Sequence, residues 1–445
     1  MQRIKEVLVN IFTIPELRRR ILITFGLLAV FRLGYFIPLP GIDIEVLRLW
    51  MGQMEKSAGR IYGFINLFSG GAATQMSVFS LGIMPYITAS IMFSMLVKVI
   101  PQLEALTKEG PSGYRKISQY TRWATLPICI FWGFWSVMAL QGQTFGGHPL
   151  VAFPGMPFAI LTILSLTAGA MFVMWLGEQI TEFGIGNGAS IIIMAGIIAR
   201  MPEALYAMYR GVAAGEISVD KPILLLALYV GVVWAVVVTT QAQRRIPVQY
   251  AKHVRGRTVY GGQRHYLPLR VNQAGVMPVI FAATLMVVPD LLGRISKSEV
   301  LQHAFSRSDS GFWYCLVYLA FIFFFSYFWT ALYFRPVEMS ENLKESGSFV
   351  PGIRPGRDTA IYLEYVMNRI TLVGATFLGL IALLPNIISY GLGVSRFVTG
   401  FLGGTGILIV VGVGLDMMQK VESHLLIREY EGFIKKGRVR GRGNM

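Results

Sequence analysis

The sequence predicts an all-α polytopic membrane protein, with ten transmembrane helices in two inverted, pseudo-symmetric five-helix halves. Three observations predict it. Of 445 residues, 54% are hydrophobic and only 14% charged, with a positive mean hydropathy, a balance that excludes an ordinary soluble enzyme. Apolar runs of about 18 residues or more recur without period-two alternation, which suits helices that satisfy their own backbone in lipid and disfavours a lipid-facing barrel. Gly82-Ile83-Met84-Pro85 is echoed by Gly275-Val276-Met277-Pro278, each early in a long apolar run. A proline inside a span removes a donor and crowds the preceding turn, which is tolerated only against neighbouring protein or a water-lined cavity. One such break is an ordinary kink, whereas two in matching halves mark a pathway.

The spans are expected near 21–38, 78–99, 121–140, 157–176, 187–200, 222–241, 272–289, 312–334, 371–390 and 400–418. Arg18-Arg19-Arg20 before the first run imitates a secretory signal. The run continues through Tyr35-Phe36-Ile37-Pro38 without a small-residue cleavage site, so it is read as a span that stays. Between the first two spans lies Phe64-Ile65-Asn66-Leu67-Phe68-Ser69-Gly70-Gly71-Ala72-Ala73-Thr74-Gln75-Met76-Ser77. It is too polar and Gly-rich to cross a bilayer and too apolar for an exposed loop, as a re-entrant segment is. Its small residues and Gly-Gly hinge suit a displaceable stopper.

Five spans per half is an odd number, so the second half enters from the opposite side, and the two Gly-x-Met-Pro spans correspond. The expected organisation is a cytoplasmic N-terminus over 1–20, a first half over 21–200, an external hinge loop over 201–221 and a second half over 222–418. Cytoplasmic loops are expected at 243–270 and 335–369, and a basic cytoplasmic tail at 419–445. Orientation follows from the basic residues: about 29 of the Lys and Arg fall in the N-terminus, even-numbered loops and tail, against about 10 in the odd-numbered loops. Both termini are therefore expected in the cytoplasm.

Cys129 and Cys315 both lie in predicted spans, so neither a disulfide framework nor a cysteine metal site is expected. His148, His253, His265, His303 and His424 have no ligand spacing on one helix, and no Gly-x-x-x-x-Gly-Lys phosphate loop occurs. No cofactor and no catalysis are expected. The Gly184-Ile185-Gly186-Asn187-Gly188 cluster has no preceding strand and no nearby lysine, and is read as a flexible helix start.

Several segments together carry a family resemblance. They are Leu67 to Ala72, Leu81 to Ile87, Trp175-Leu176-Gly177-Glu178-Gln179-Ile180-Thr181-Glu182, the Gly184 to Gly188 cluster, Gln243-Arg244-Arg245-Ile246-Pro247, Leu267-Pro268-Leu269-Arg270-Val271-Asn272, and Phe349-Val350-Pro351-Gly352-Ile353-Arg354-Pro355-Gly356. Nearly end to end, the chain resembles the SecY/Sec61-alpha family. The resemblance implies two halves around a central pore that passes unfolded secretory polypeptides and releases hydrophobic segments sideways into lipid. It implies a pore ring of Ile83, Ile87, Ala189, Ile193, Ile280 and Ile409, a plug from Ile65 to Met76, and a lateral gate of the second and seventh spans with Pro85, Thr88, Asn272, Gln273, Pro278 and Thr284. At Ala189 the family commonly has a larger aliphatic, so the constriction is either less tight or filled by a neighbour.

The implied partners are the membrane subunits SecE and SecG, the motor ATPase SecA, the ribosome, signal sequences and nascent chains, and membrane lipid. The implied location is the bacterial cytoplasmic membrane. Arg244, Arg245, Lys252, Arg255, Arg257, Arg264 and Arg270 occur between spans six and seven without one acid. Positive-inside topology accounts for such an excess, and so does docking to RNA phosphate or an acidic protein face. By resemblance Arg354 is a second contact. The tail from Lys435-Lys436 to Arg442 suits the same use or anionic lipid.

An aliphatic waist suits a polypeptide of any sequence: it dewets when empty and offers neither charge nor fixed ligands. Isolated isoleucines are ordinary packing, and only the family pattern singles these out. At the gate, one central charge opposes entry into lipid by ~2.5 to 3.5 kcal/mol, which offsets roughly five or more leucines. Gln75, Thr88, Asn272, Gln273 and Thr284 serve either as displaceable interhelical hydrogen bonds or as static helix glue. The competing class is an ion-coupled secondary transporter, which shares inverted repeats and broken spans but needs ionisable groups at mid-membrane. Glu178, Glu182, Asp290 and Asp416 fall at predicted span ends, leaving Arg32 embedded, with a stem long enough to snorkel outward.

Overall fold

The computed structural model describes residues 14–43, 45–47, 69–72, 75–141, 144–145, 148–151, 153–215, 218–250, 253–255, 258–260, 264–286, 312–392 and 404–436. The chain forms two compact units, Met1–Arg200 with Val413–Met445, and Met201–Gly412.

In the first unit, α1 (Pro15–Gly34) is followed by α2 (Met84–Val99), α3 (Pro101–Lys108), α4 (Pro111–Leu140), the small pair β1 (Thr144–Phe145) and β2 (His148–Pro149), α5 (Met156–Phe183) and α6 (Gly188–Ala199). Its core gathers Leu39, Met76, Leu81, Leu140, Leu150, Leu166 and Ala170. A break at Ile100 turns α3 by 98° from α2. Ile100 is extended (φ −98°, ψ 111°), as the residue before a proline prefers to be.

The second unit holds α7 (Met201–Ala213), α8 (Asp220–Gln241), β3 (Gln243–Tyr250), β4 (His253–Arg255), β5 (Thr258–Tyr260), β6 (Arg264–Arg270), α9 (Met277–Leu285), α10 (Phe312–Tyr333), α11 (Pro336–Glu345), β7 (Ser348–Phe349), α12 (Arg357–Leu392) and the start of α13 (Thr405–Lys436). From Val413 onward α13 belongs to the first unit, where Met417 and Val421 join Leu17 and Ile185 in one apolar cluster.

Several boundaries differ from expectation for identifiable reasons. The second span does not run unbroken from residue 78: residues 78–83 form turns, and Pro85 stands in the first turn of α2. Pro278 does the same in α9. The first turn of a helix has no partner for a backbone N–H, so a proline loses nothing there. The two prolines therefore start helices and do not kink them. Each start is preceded by a left-handed glycine, Gly82 at φ +53° and Gly275 at φ +64°, so the sequence echo is also a structural one.

The expected hinge loop 201–221 is largely the helix α7, continuing from α6 after Arg200. Helices α12 and α13 extend well past their apolar stretches into regions expected to be loop and tail. The connection 243–270 carries strands: β3 and β6 pair antiparallel from Gln243↔Arg270 to Gln249↔Arg264, and β7 extends the sheet on the other side of β3. Ile246, Val248 and Leu269 turn into a core with Leu363, Val366 and Met367 of α12. The alternating burial of Ile246 and Val248 is the period-two signature of a half-buried strand.

Among the described residues five helices are long and apolar enough to cross a membrane, or six if bent α2 and α3 count as one span. Helix α1 falls short of that measure because Arg18, Arg19, Arg20 and Arg32 all lie within it. The expected tail of the seventh span beyond residue 286 lies outside the described residues.

Candidate functional site

Four residues of the expected plug, Ser69, Gly70, Gly71 and Ala72, are described and buried, and Gln75 and Met76 follow. Ile65, Asn66, Leu67, Phe68, Ala73 and Thr74 lie outside the described residues. The far end of the segment is stitched to the chain leaving α1: Leu39 N–H donates to Met76 O at 2.8 Å, Val78 N–H to Ile37 O at 2.9 Å, and Pro38 bridges Ser77. Met76 is the one non-glycine residue with positive φ (+46°) among those described, a backbone held in place by its surroundings. Its side chain is buried beside Leu39 and Leu81. Ser80 Oγ and Ser77 N–H both donate to Ala72 O, at 3.0 and 3.1 Å.

The Gly-Gly pair rests on α6. Gly70 (φ +64°) approaches so closely that a Cβ on it would lie 2.8 Å from Gly196 Cα, and a Cβ on Gly196 would lie 2.9 Å from Gly70 Cα. A Cβ on Gly71 would meet Tyr35 Cε2 at 3.2 Å and Arg200 Cδ at 3.3 Å. On the other side, Arg32 Nη1 donates to Gly70 O at 3.2 Å, with its guanidinium 4.1 Å from the Tyr35 ring centroid. Arg32 therefore turns inward to a backbone carbonyl, not outward as a snorkelling side chain. Tyr35, Gly196 and Arg200 were not singled out from sequence. A glycine inside a helix is unfavourable unless another backbone approaches, and that was the available signal for Gly196.

Along α6 the order is instructive. Ile193 is buried, Gly196 one turn on touches Gly70, and Arg200 one further turn on borders Gly71. Ile83 is fully buried, and a Cβ on Gly177 of α5 would meet Ile83 Cδ1 at 3.2 Å, with Ala189 N and Ile192 Cδ1 each at 3.5 Å. The space beside half-buried Ala189 is thus shared with Ile83 and Ile192. Ile87, one turn beyond Ile83, is also buried. In the second unit Ile280 and Ile409 are buried on helices that meet where a Cβ on Gly412 would lie 3.4 Å from Val276 Cγ2.

The turn between α5 and α6 is tight, not flexible as expected. Cβ atoms on Gly184 and Gly188 would strike Thr24 Oγ1 and the Gly177 carbonyl respectively. Thr24 Oγ1 accepts from Ile185 N–H at 3.2 Å, Thr181 Oγ1 accepts from Gly188 N–H at 2.8 Å, and Asn187 caps Ser190 N–H. Arg20 Nη1 donates to Gly184 O at 3.4 Å, so the start of α1, this turn and the late part of α13 share one end of the first unit.

Comparison with known proteins decides the family. The SecY family model matches residues 77–418. The protein translocase subunit SecY of Thermotoga maritima is 43% identical over 97% of this chain and 98% of its own. That of Streptomyces coelicolor is 44% identical over 95% and 98%. The chain belongs to the SecY family. Solved structures share the fold: a protein-conducting channel at TM-score 0.61 and 18% identity, and a SecY whose plug domain is described as stabilising the closed state, at TM-score 0.60 and 17% identity, each over 95% of both chains. Sec61 from a canine ribosome–channel complex matches at TM-score 0.56 and 16% identity, again over 95% of both chains.

As a SecY, the chain is a multi-pass membrane protein and a protein-conducting translocation channel, of a family that catalyses no reaction. The ion-coupled carrier falls with that membership. Of the gate candidates, Pro85 and Pro278 are buried, Thr88 and Asn272 half-buried, Gln273 exposed. Thr88 Oγ1 donates to Met84 O at 3.0 Å and Thr284 Oγ1 to Ile280 O at 2.9 Å, so both hydroxyl protons are spent within their own helices and not between helices. Of the basic candidates, Arg244 and Arg245 are exposed on β3, and Arg255 ends β4. Arg354 is exposed on a turn held by Ile353 N–H to Val350 O at 3.1 Å and Thr359 Oγ1 to Arg354 O at 2.8 Å. Lys252 and Arg257 lie outside the described residues.

Proposed function

We propose that this SecY seals itself with residues 65–76 seated beneath an aliphatic waist of Ile83, Ile87, Ala189, Ile193, Ile280 and Ile409, and that the helices beginning at Pro85 and Pro278 part to release apolar segments into lipid. The observation that carries this is the order along α6: the waist residue Ile193, then Gly196 against Gly70, then Arg200 against Gly71. Asn187 lies at the opposite end of α6, beside the start of α1 and the cluster containing Val421. With about three quarters of the basic charge assigned to that side, it is cytoplasmic and the seat of the stopper is external to the waist. The dewetting waist and the seated segment act in series against ions, and a passing chain displaces both.

The basic outer face of β3 and β6, with Arg245, Arg264 and Arg270 exposed, and the rigid turn presenting Arg354 form the cytoplasmic docking surface. The ribosome and the motor SecA use it, and SecE and SecG complete the translocase in the bacterial cytoplasmic membrane. A canine relative is described in a ribosome–channel complex. Signal sequences, nascent chains and lipid meet at the gate. The test is site-specific crosslinking from Ile87 and Ile280 to a stalled secretory chain in the assembled translocase. Adducts at both positions are expected; crosslinks from exposed Trp123 of α4 alone would refute the assignment of the waist.

A further inference from the structure

We infer that Arg32 is the latch of the stopper: its guanidinium, braced on the Tyr35 ring, holds residues 69–72 in their seat through the Gly70 carbonyl. The inference rests on the plug reading above and adds the residue that sets its hold. Arg32 sits in the last turn of α1, within an apolar run, where a cation is costly unless it finds a partner. The partner is the Gly70 carbonyl at 3.2 Å, supplied by a segment 38 residues away in sequence. The Tyr35 ring lies 4.1 Å from the guanidinium carbon and the Phe36 ring 5.9 Å, so aromatic rings brace the cation while Nη1 donates to the Gly70 carbonyl. Gly70 is clamped from the other side by Gly196, and its φ of +64° belongs to a backbone that L side chains rarely adopt.

The geometry has a consequence for gating. If the segment leaves its seat while the pore is dry, half-buried Arg32 loses the acceptor for its Nη1–H with no water to replace it, which is unfavourable. If water enters with a polypeptide, water replaces the carbonyl and the penalty disappears. The latch therefore opposes spontaneous opening far more than opening by a chain that brings water with it. Lysine does not substitute fully, because a compact ammonium has no planar fork to lie on the ring while donating sideways.

The test uses the complete translocase, reconstituted in planar bilayers for resting ion conductance and expressed in cells for export of a precursor with a defective signal sequence. Arg32→Gln is expected to raise both about tenfold, equivalent to ~1.4 kcal/mol. Arg32→Lys is expected to raise them less. Deletion of residues 65–72 is expected to raise both, and Arg32→Gln added to that deletion is expected to change nothing more, because its partner is already gone. If the deletion opens the channel while Arg32→Gln stays sealed and selective, the latch is refuted and the plug stands. An equal rise from Arg32→Gln in the deletion background also refutes it, placing the residue's effect elsewhere. If the deletion itself leaves conductance and selectivity unchanged, the plug reading fails and the latch with it. Should Arg32→Gln not accumulate in membranes, Tyr35→Leu keeps the charge and removes the brace; unchanged selectivity in that variant would equally refute the latch.

Discussion

Gly196→Ala isolates the Gly70–Gly196 approach on which the proposed stopper would rest. The added Cβ would lie 2.9 Å from Gly70 Cα and 3.2 Å from Gly70 N, against an optimal carbon separation of about 3.5 to 4.0 Å. The obstruction is backbone on both sides, and Gly70 is tied to Arg32, so no flexible side-chain end can move aside. Overpacking of this kind costs about 1 to 3 kcal/mol. Alanine also favours a helix over glycine by about 1 kcal/mol. Helix α6 persists whether the segment is seated or displaced, so that gain cancels and only the clash enters the equilibrium. The displaced population should therefore rise about 5- to 150-fold. Resting conductance of the reconstituted translocase and export of a signal-defective precursor measure it directly. Normal membrane accumulation with both readouts at the parental level would refute the claim that Gly70 seated on Gly196 keeps the channel shut.

Three further outcomes follow from other contacts. Gly188→Ala drives a methyl into the Gly177 carbonyl and should lower stability by about 1 to 3 kcal/mol, read as reduced accumulation and a lower melting midpoint in lipid nanodiscs. Trp329, almost fully buried, packs on Phe281 and Tyr333, and its indole N–H has no partner. Trp329→Phe removes that unpaired donor, a gain of about 1 to 3 kcal/mol that roughly offsets the lost volume, whereas Trp329→Ala should cost about 3 to 5; equal melting midpoints for the two variants would contradict this balance. Arg354→Glu reverses an exposed charge on a turn held by backbone bonds, so motor-driven export should fall while accumulation and melting stay at the parental level, as quantified by precursor processing and thermal unfolding side by side.

Much of the fold was legible because hydropathy is a local property. The apolar runs announced α8 and α10 within a few residues and the start of α5, and the Gly-x-Met-Pro pair announced two corresponding interruptions. Where expectation and structure part, the missing information was a partner. Gly184 to Gly188 looked flexible until Thr24 and the Gly177 carbonyl were found against them. Residues 243–270 read as a connection between apolar runs with seven basic residues, and the strands within it are decided by pairing of β3 with β6 and packing on α12. Thr88 and Thr284 read either as displaceable bonds between helices or as static helix glue, yet an alcohol in a helix has a carbonyl four residues back always within reach.

By itself the sequence determined the solvent of this protein and, through many short motifs, its kinship. Those depend on composition and on order along the chain. Tertiary structure alone decided that Gly70 rests on Gly196, that Arg32 faces a carbonyl instead of the membrane surface, and that Pro85 and Pro278 open helices. Such choices are made by sub-ångström fit and by which polar group an otherwise unpaired donor can reach, and neither exists until distant segments have packed.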